Sequence, residues 1–228
     1  VNGASAYSDI LETGTAGDID VEDWLPSINL VYSLTDRMNL RGAFGKTLAR
    51  PNLLEMSAAV FPDPDGGEGF VIGNPDLNRT KVDNFDLRWE WFLRPGEILA
   101  VSGFYKDFTD PIEQVYVDND ANNSVTWANV GDAEVYGLEV EFRRRLDHVS
   151  PKLRYFTLGG NFTFIEASVK LNENELEFLR QVDPNISDER DMQGQSPFII
   201  NADIGYDNPL SGTSITLLYN VYGERLAV

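Results

Sequence analysis

The sequence predicts an all-β fold: an antiparallel sheet of long strands, of the kind that closes as a transmembrane β-barrel. Two observations carry this. Period-two alternation of apolar and polar residues recurs eight times along 228 residues, and the connections between the alternating runs differ systematically in length. In VYGLEVEFRRR, Tyr136, Leu138, Val140 and Phe142 alternate with Gly137, Glu139, Glu141 and Arg143, so a strand sends the two sets to opposite faces.

Taken in order, the runs predict strands at about 25–34, 38–48, 82–92, 97–109, 133–146, 153–166, 196–206 and 213–222. The first pair places Ile28, Leu30, Tyr32 and Leu34, then Met38, Leu40, Gly42 and Phe44, on an apolar face. The third sets Phe85, Leu87, Trp89 and Trp91 against Asn84, Asp86, Arg88 and Glu90. The sixth sets Phe156, Leu158, Phe162 and Phe164 against Thr157, Asn161 and Thr163. The seventh sets Phe198, Ile200, Ala202 and Ile204 against Asn201 and Asp203. The fourth and eighth alternate less cleanly.

Every second connection is short and rich in turn formers: TDR, RPGE, DHVSPK and DNPLSG. The others are long, at about 49–81, 110–132 and 167–195. A soluble sandwich uses shorter strands and does not sort its loops by length between two ends. Outer-membrane barrels do both, with short periplasmic turns, long extracellular loops, an apolar outside and a polar inside. A basic residue facing lipid near the midplane costs about 2–4 kcal/mol. The apolar set is therefore expected to face acyl chains. Arg41, Arg88, Glu90, Glu139, Glu141, Arg143, Asn161, Asn201 and Asp203 are expected to line an aqueous lumen. Trp89, Trp91, Tyr136, Phe142, Tyr206 and Tyr222 suit interfacial aromatic girdles.

Composition limits the partners. A net charge of −19 opposes binding to nucleic acid, and the absence of cysteine excludes disulfides and thiolate metal sites. No apolar run reaches the length of a transmembrane helix, and the first residues lack the features of a signal peptide, so an export signal would lie in sequence outside this span.

The segment GNPDLNRTKVDNFDLRWEWF, Gly73 to Phe92, resembles the GNPxLxPExxxNxELGxE pattern of the TonB-dependent outer-membrane receptors, with Asn78-Arg79-Thr80 replacing the usual Lys-Pro-Glu. TLARPNLLEM, Thr47 to Met56, and NVGDAEVYGLEVEF, Asn129 to Phe142, resemble further stretches of the same family in the same order. The resemblance implies a larger barrel with an internal plug. Such a receptor binds a scarce nutrient, such as a ferric siderophore, cobalamin or a glycan, and is powered by the inner-membrane TonB complex acting through the plug. On that comparison residues 1–228 are about eight strands from inside the barrel, without plug or closing strands. The expected surroundings are the bacterial outer membrane, its lipid and its lipopolysaccharide. The alternative is a soluble, extracellular, acidic β-sheet binding or adhesion module, with glycans as one ligand class.

Catalytic patterns are weak. His148 is the single histidine and lies in a short turn. GAFGKT lacks the first glycine of a phosphate loop and reads as strand. The Glu139/Glu141 pair reads as wall charge rather than as a glycosidase pair. No enzyme activity is expected. Ligand-binding candidates on the long loops are Arg50, Asn52, Tyr116, Trp127 and Gln195, where guanidinium could meet an anionic complex and aromatic rings could stack. No cofactor is expected beyond calcium at Asp63, Asp65 and Glu68, or in VDNDANN, and neither stretch has EF-hand spacing. In KLNENELEFLRQVDPN, Asn172 with Glu175 resembles a capping box ahead of Leu176, Leu179 and Val182, predicting one short helix.

Overall fold

A computed structural model describes residues 20–62, 69–117, 124–171, 176–177, 180–181 and 183–226. Eight long strands form one antiparallel meander: β1 (Ser27–Thr35), β2 (Met38–Ala49), β5 (Thr80–Arg94), β6 (Glu97–Thr109), β9 (Ala133–Arg145), β10 (Phe156–Lys170), β12 (Phe198–Asn208) and β13 (Thr213–Tyr222). Each pairs with the next long strand in the chain, and the sheet is not closed on itself. The remaining five strands are short and belong to the long connections: β3 (Val60–Pro62), β4 (Phe70–Ile72), β7 (Ile112–Tyr116), β8 (Val125–Asn129) and β11 (Glu189–Asp191).

The eight strands match the eight alternating runs, with shifted ends. The sixth begins at Phe156 rather than near 153, because Pro151–Leu153 closes a 3-10 turn that Ser150 caps through the Lys152 amide. The same strand runs on to Lys170. At 15 residues β5 extends about 50 Å at ~3.3 Å per residue. Tilted by ~40°, it still spans a hydrocarbon layer. Among the described residues no helix is long and apolar enough to cross a membrane.

Register fixes the faces. Leu30, Gly42, Leu87, Gly103, Leu138, Phe164 and Phe198 lie opposite one another in sequence across seven strands, forming a single apolar row. Leu87 is 58% exposed and Leu138 47% exposed, although both sit mid-strand. Phe44, Phe85, Tyr105 and Tyr136 form an aromatic row nearer the long loops, and Trp89 and Trp91 lie nearer the short turns. Tyr222 does not belong with them. It pairs with Ile199, which stands opposite Thr163 and so shares the face of Glu139. The sequence-based expectation for Tyr222 failed because the strand phase of β13 is set by pairing with β12, not by its own mixed pattern.

The two faces exchange character at the long-loop end. One step beyond the aromatic row, the exposed face carries Asp83, Asp107 and Glu134 in register. There the opposite face turns apolar, with Val82, Phe108, Ala133 and Val169 in a row. Val130, Ala133 and Val169 are buried together there, packed by Phe108, Val115 and Met192. This inversion is absent from a uniform period-two reading.

Candidate functional site

On the polar face the nine residues expected to line a lumen share one side of the sheet, and several are joined laterally. Arg41 Nε donates to Glu90 at 2.7 Å, and Arg88 Nε donates to the other Glu90 oxygen at 3.0 Å. Arg88 also reaches Ser102 Oγ at 3.0 Å and Glu141 at 2.5 Å. Farther along, Arg143 lies 3.7 Å from Asp203. Asn201 donates to Asn161 at 2.6 Å and accepts from Asn220. Arg41 and Arg88 stand opposite each other in register, and Glu90 bridges the two like charges with one oxygen to each.

The long loops between β2 and β5 and between β6 and β9 fold together over the apolar end of this face. Their short strands make a second sheet in the order β3-β4-β8-β7, with β4 and β8 parallel. Residues that carried the family resemblance are the clamps of this sheet. Asn129 Oδ1 accepts from the Asn78 amide at 2.7 Å, while its Nδ2 donates to Asn78 O at 3.1 Å and to Asp110 O at 2.8 Å. Asn74 Nδ2 donates to Trp127 O at 2.8 Å. Gly73 passes so close to the Ser57 carbonyl that a β-carbon has no room. Asp110 sits at φ 55, and its carbonyl is held by Thr80 Oγ1 as well as by Asn129. Arg79, which departs from the family pattern, lies 2.7 Å from Asp23 of the segment preceding β1.

Between this loop sheet and the ends of β2 and β13 lies an open cleft of about 690 Å³. Arg50, Glu55, Glu113, Trp127, Gln193 and Arg225 all line it. Both carboxylates are engaged. Glu55 accepts from the Asn52 amide and Asn52 Nδ2 at 2.9 and 2.7 Å. Glu113, 5% exposed, accepts from Arg190 at 2.6 Å and from the Gln193 amide at 2.9 Å. Among the described residues Arg50 makes no hydrogen bond or ion pair. Arg225 uses Nε on Ser196 and lays its guanidinium over the Tyr222 ring at 4.3 Å.

Of the five binding candidates from sequence, Arg50 and Trp127 line the cleft, and Asn52, Tyr116 and Gln195 do not. Asn52 caps its own turn, accepting from the Leu54 and Glu55 amides. Tyr116 is exposed at the end of β7, and Gln195 donates to Ser196 O. Glu113, Gln193 and Arg225 were missed. Glu113 lies in a strand of five residues, and Gln193 and Arg225 lie outside any strand, so periodicity gives no signal for them. Asp63, Asp65, Glu68 and the stretch 118–123 lie outside the described residues, as do Asn172, Glu175, Leu179 and Val182 of the expected helix. No group of three or more histidine or acidic residues that could hold a metal occurs among the described residues.

An open antiparallel wall with an apolar exposed face, short turns at one end and a folded loop mouth at the other defines part of an outer-membrane type of β-barrel. A family model described as TonB dependent receptor-like, beta-barrel, matches residues 3–227, and the chain belongs to that family. The ferric enterobactin receptor of Pseudomonas aeruginosa is 27% identical over 139 residues, covering 54% of this chain and 18% of that protein. The siderophore receptor PirA from Pseudomonas aeruginosa superposes with a TM-score of 0.58 at 18% identity, covering 88% of this chain and 34% of that one. A mutant ferric enterobactin receptor from the same species, in complex with enterobactin, gives 0.53 at 19% identity over 88% of this chain and 28% of that one. The chain thus spans less than a fifth of the curated relative and about a third of the first of these structures.

Proposed function

We propose that this chain forms part of the wall and mouth of an outer-membrane receptor that captures a ferric siderophore and passes it inward. In this reading the apolar row through Leu87 and Leu138 faces acyl chains. The membrane boundary falls between the Tyr105/Tyr136 row and the Asp107/Glu134 row, where the exposed face turns acidic. The acidic row then meets the lipopolysaccharide headgroups, the long loops are extracellular and the short turns periplasmic. Remaining strands and a plug, through which the TonB complex would supply energy, come from sequence outside this span. The chain itself performs no bond chemistry.

The observation that carries the ligand reading is the imbalance within the cleft. Glu55 and Glu113 are spent on internal hydrogen bonds, whereas Arg50, which lines the same cleft as Trp127, has no partner among the described residues. Despite a net charge of −19, the cleft therefore offers donors to an anion and a flat ring to an aromatic chelator. Two of the relatives above are ferric enterobactin receptors, which makes ferric enterobactin the probe of choice. No specific observation favours the soluble-module alternative.

In the full-length receptor, Arg50→Ala is expected to weaken ferric enterobactin binding at least about tenfold, the loss of one charge-assisted contact. Trp127→Ala should weaken it further. A wild-type receptor that ignores the probe would overturn the siderophore class. Unchanged affinity in both variants would remove the cleft as the site. Recovery of the receptor from aqueous periplasm without detergent would overturn the membrane reading.

A further inference from the structure

We infer that residues Met192–Ser196, which follow β11, form a releasable strap along the cleft, latched to the loop sheet by Glu113. β7 is an edge strand of that sheet. Exposed edges invite pairing, and here the strap covers the edge with side chains rather than with backbone. Gln193 Nε2 donates to Gln114 O at 2.7 Å, and its Oε1 accepts from the Gln114 amide at 3.2 Å. The primary amide thus imitates the peptide group of an added strand. Glu113 completes the latch, one oxygen on Arg190 and the other on the Gln193 amide. Among the described residues no backbone-to-backbone hydrogen bond joins the strap to β7.

The strap's other side is tied to the segment after β13. The Gly194 amide donates to Leu226 O at 3.0 Å, Ser196 Oγ donates to Gly223 O, and Arg225 Nε donates to Ser196 Oγ. Gly194 has φ 72, which sets the bend between the two attachments. Backbone hydrogen bonds therefore anchor the strap on both flanks, through β11 and Met192 to β10 and through Gly194 to Leu226, whereas its attachment to β7 depends on two side chains, Glu113 and Gln193. Breaking the latter frees the strap from β7 without disturbing β7 or β8, and widens the cleft on that side.

Hydrogen–deuterium exchange of the full-length receptor, read without ligand, tests the strap independently of what the cleft binds. Glu113→Ala is expected to accelerate exchange of the Gln193 amide and of residues 193–196 at least about tenfold. Exchange in β8 should stay as in the wild type. Unchanged exchange across 193–196 would overturn the latch, and so would equal acceleration of the strap and β8. Should Glu113→Ala fail to assemble, Gln193→Ala keeps the Glu113–Arg190 pair and removes the amide contacts to Gln114. It must show the same local acceleration for the strap to stand.

Discussion

Arg88 and Glu141 lie on strands that are not neighbours, yet their side chains meet at 2.5 Å across the intervening β6. Register explains how. Ser102 stands opposite Arg88, and Ala100, 0% exposed, stands between Glu90 and Glu141. Small residues on the middle strand let long charged side chains pass over it. Gly159 does the same between Arg143 and Asp203, whose carboxylate occupies the space of the missing β-carbon.

Enlarging the middle residue should break this ladder while leaving every charge in place. Ala100→Leu places a branched side chain under the Arg88–Glu141 contact, and overpacking of this kind costs about 1–3 kcal/mol. Thermal unfolding of the full-length receptor in detergent should show a lowered midpoint, and Ala100→Ser should stay near wild type. Equal stability of the Leu variant would mean that the ladder does not constrain the wall.

Asn129 clamps two loops at once through three hydrogen bonds. Asn129→Ala leaves the Asn78 amide and two carbonyls without this partner, a loss of about 1–3 kcal/mol. Asn129→Asp should do no better, since a carboxylate accepts from the Asn78 amide but repels both carbonyls. Limited proteolysis in the 49–81 and 110–132 loops should therefore speed up in both variants. An Asp variant as resistant as wild type would contradict the assigned hydrogen bonds.

Most of the wall was legible because alternation over ten or more residues has one interpretation. β9 was read correctly from Tyr136 to Arg143 for this reason. The loop sheet was not legible. β4 has three residues and pairs in parallel with β8, more than fifty positions away in sequence, and nothing local in Phe70–Ile72 encodes that partner. The family motifs around Gly73, Asn74 and Asn129 marked where the clamps are, but not what they hold. Arg50 and Trp127, expected as binding chemistry on the long connections, both line the cleft. Asn52 looked equivalent until its side chain proved to be used within its own turn. The inversion of faces beyond Tyr105 and Tyr136 escaped notice because it needs the neighbouring strands in register.

The short-turn end carries its own electrostatic tie. Arg94 donates to Glu97 at 2.5 Å and to Asp147 at 2.7 Å, joining the β5–β6 turn to the chain after β9. The hydrogen bond from Arg94 holds the Asp147 carboxyl below the ordinary 3.8 of an aspartate, against an opposing effect of desolvation. Because the folded value is the lower one, the tie contributes fully above 3.8 and is lost as pH falls through the folded value. Carbon-13 titration of Asp147 in the receptor should give a midpoint below 3.8, moving back up in Arg94→Gln. A midpoint at or above 3.8 in the wild type would show that Arg94 does not make this contact.

The central claim is that apolar side chains of this wall point into hydrocarbon and charged ones into water, and Leu138 and Glu139 are adjacent residues on opposite faces. Nitroxide labels placed singly at these two positions in the full-length receptor, reconstituted in bilayers, test it most directly. The label at 138 should be relaxed by oxygen and shielded from a water-soluble nickel chelate, and the label at 139 should behave in the opposite way. Reversed accessibilities, or two labels equally open to the chelate, would contradict the account.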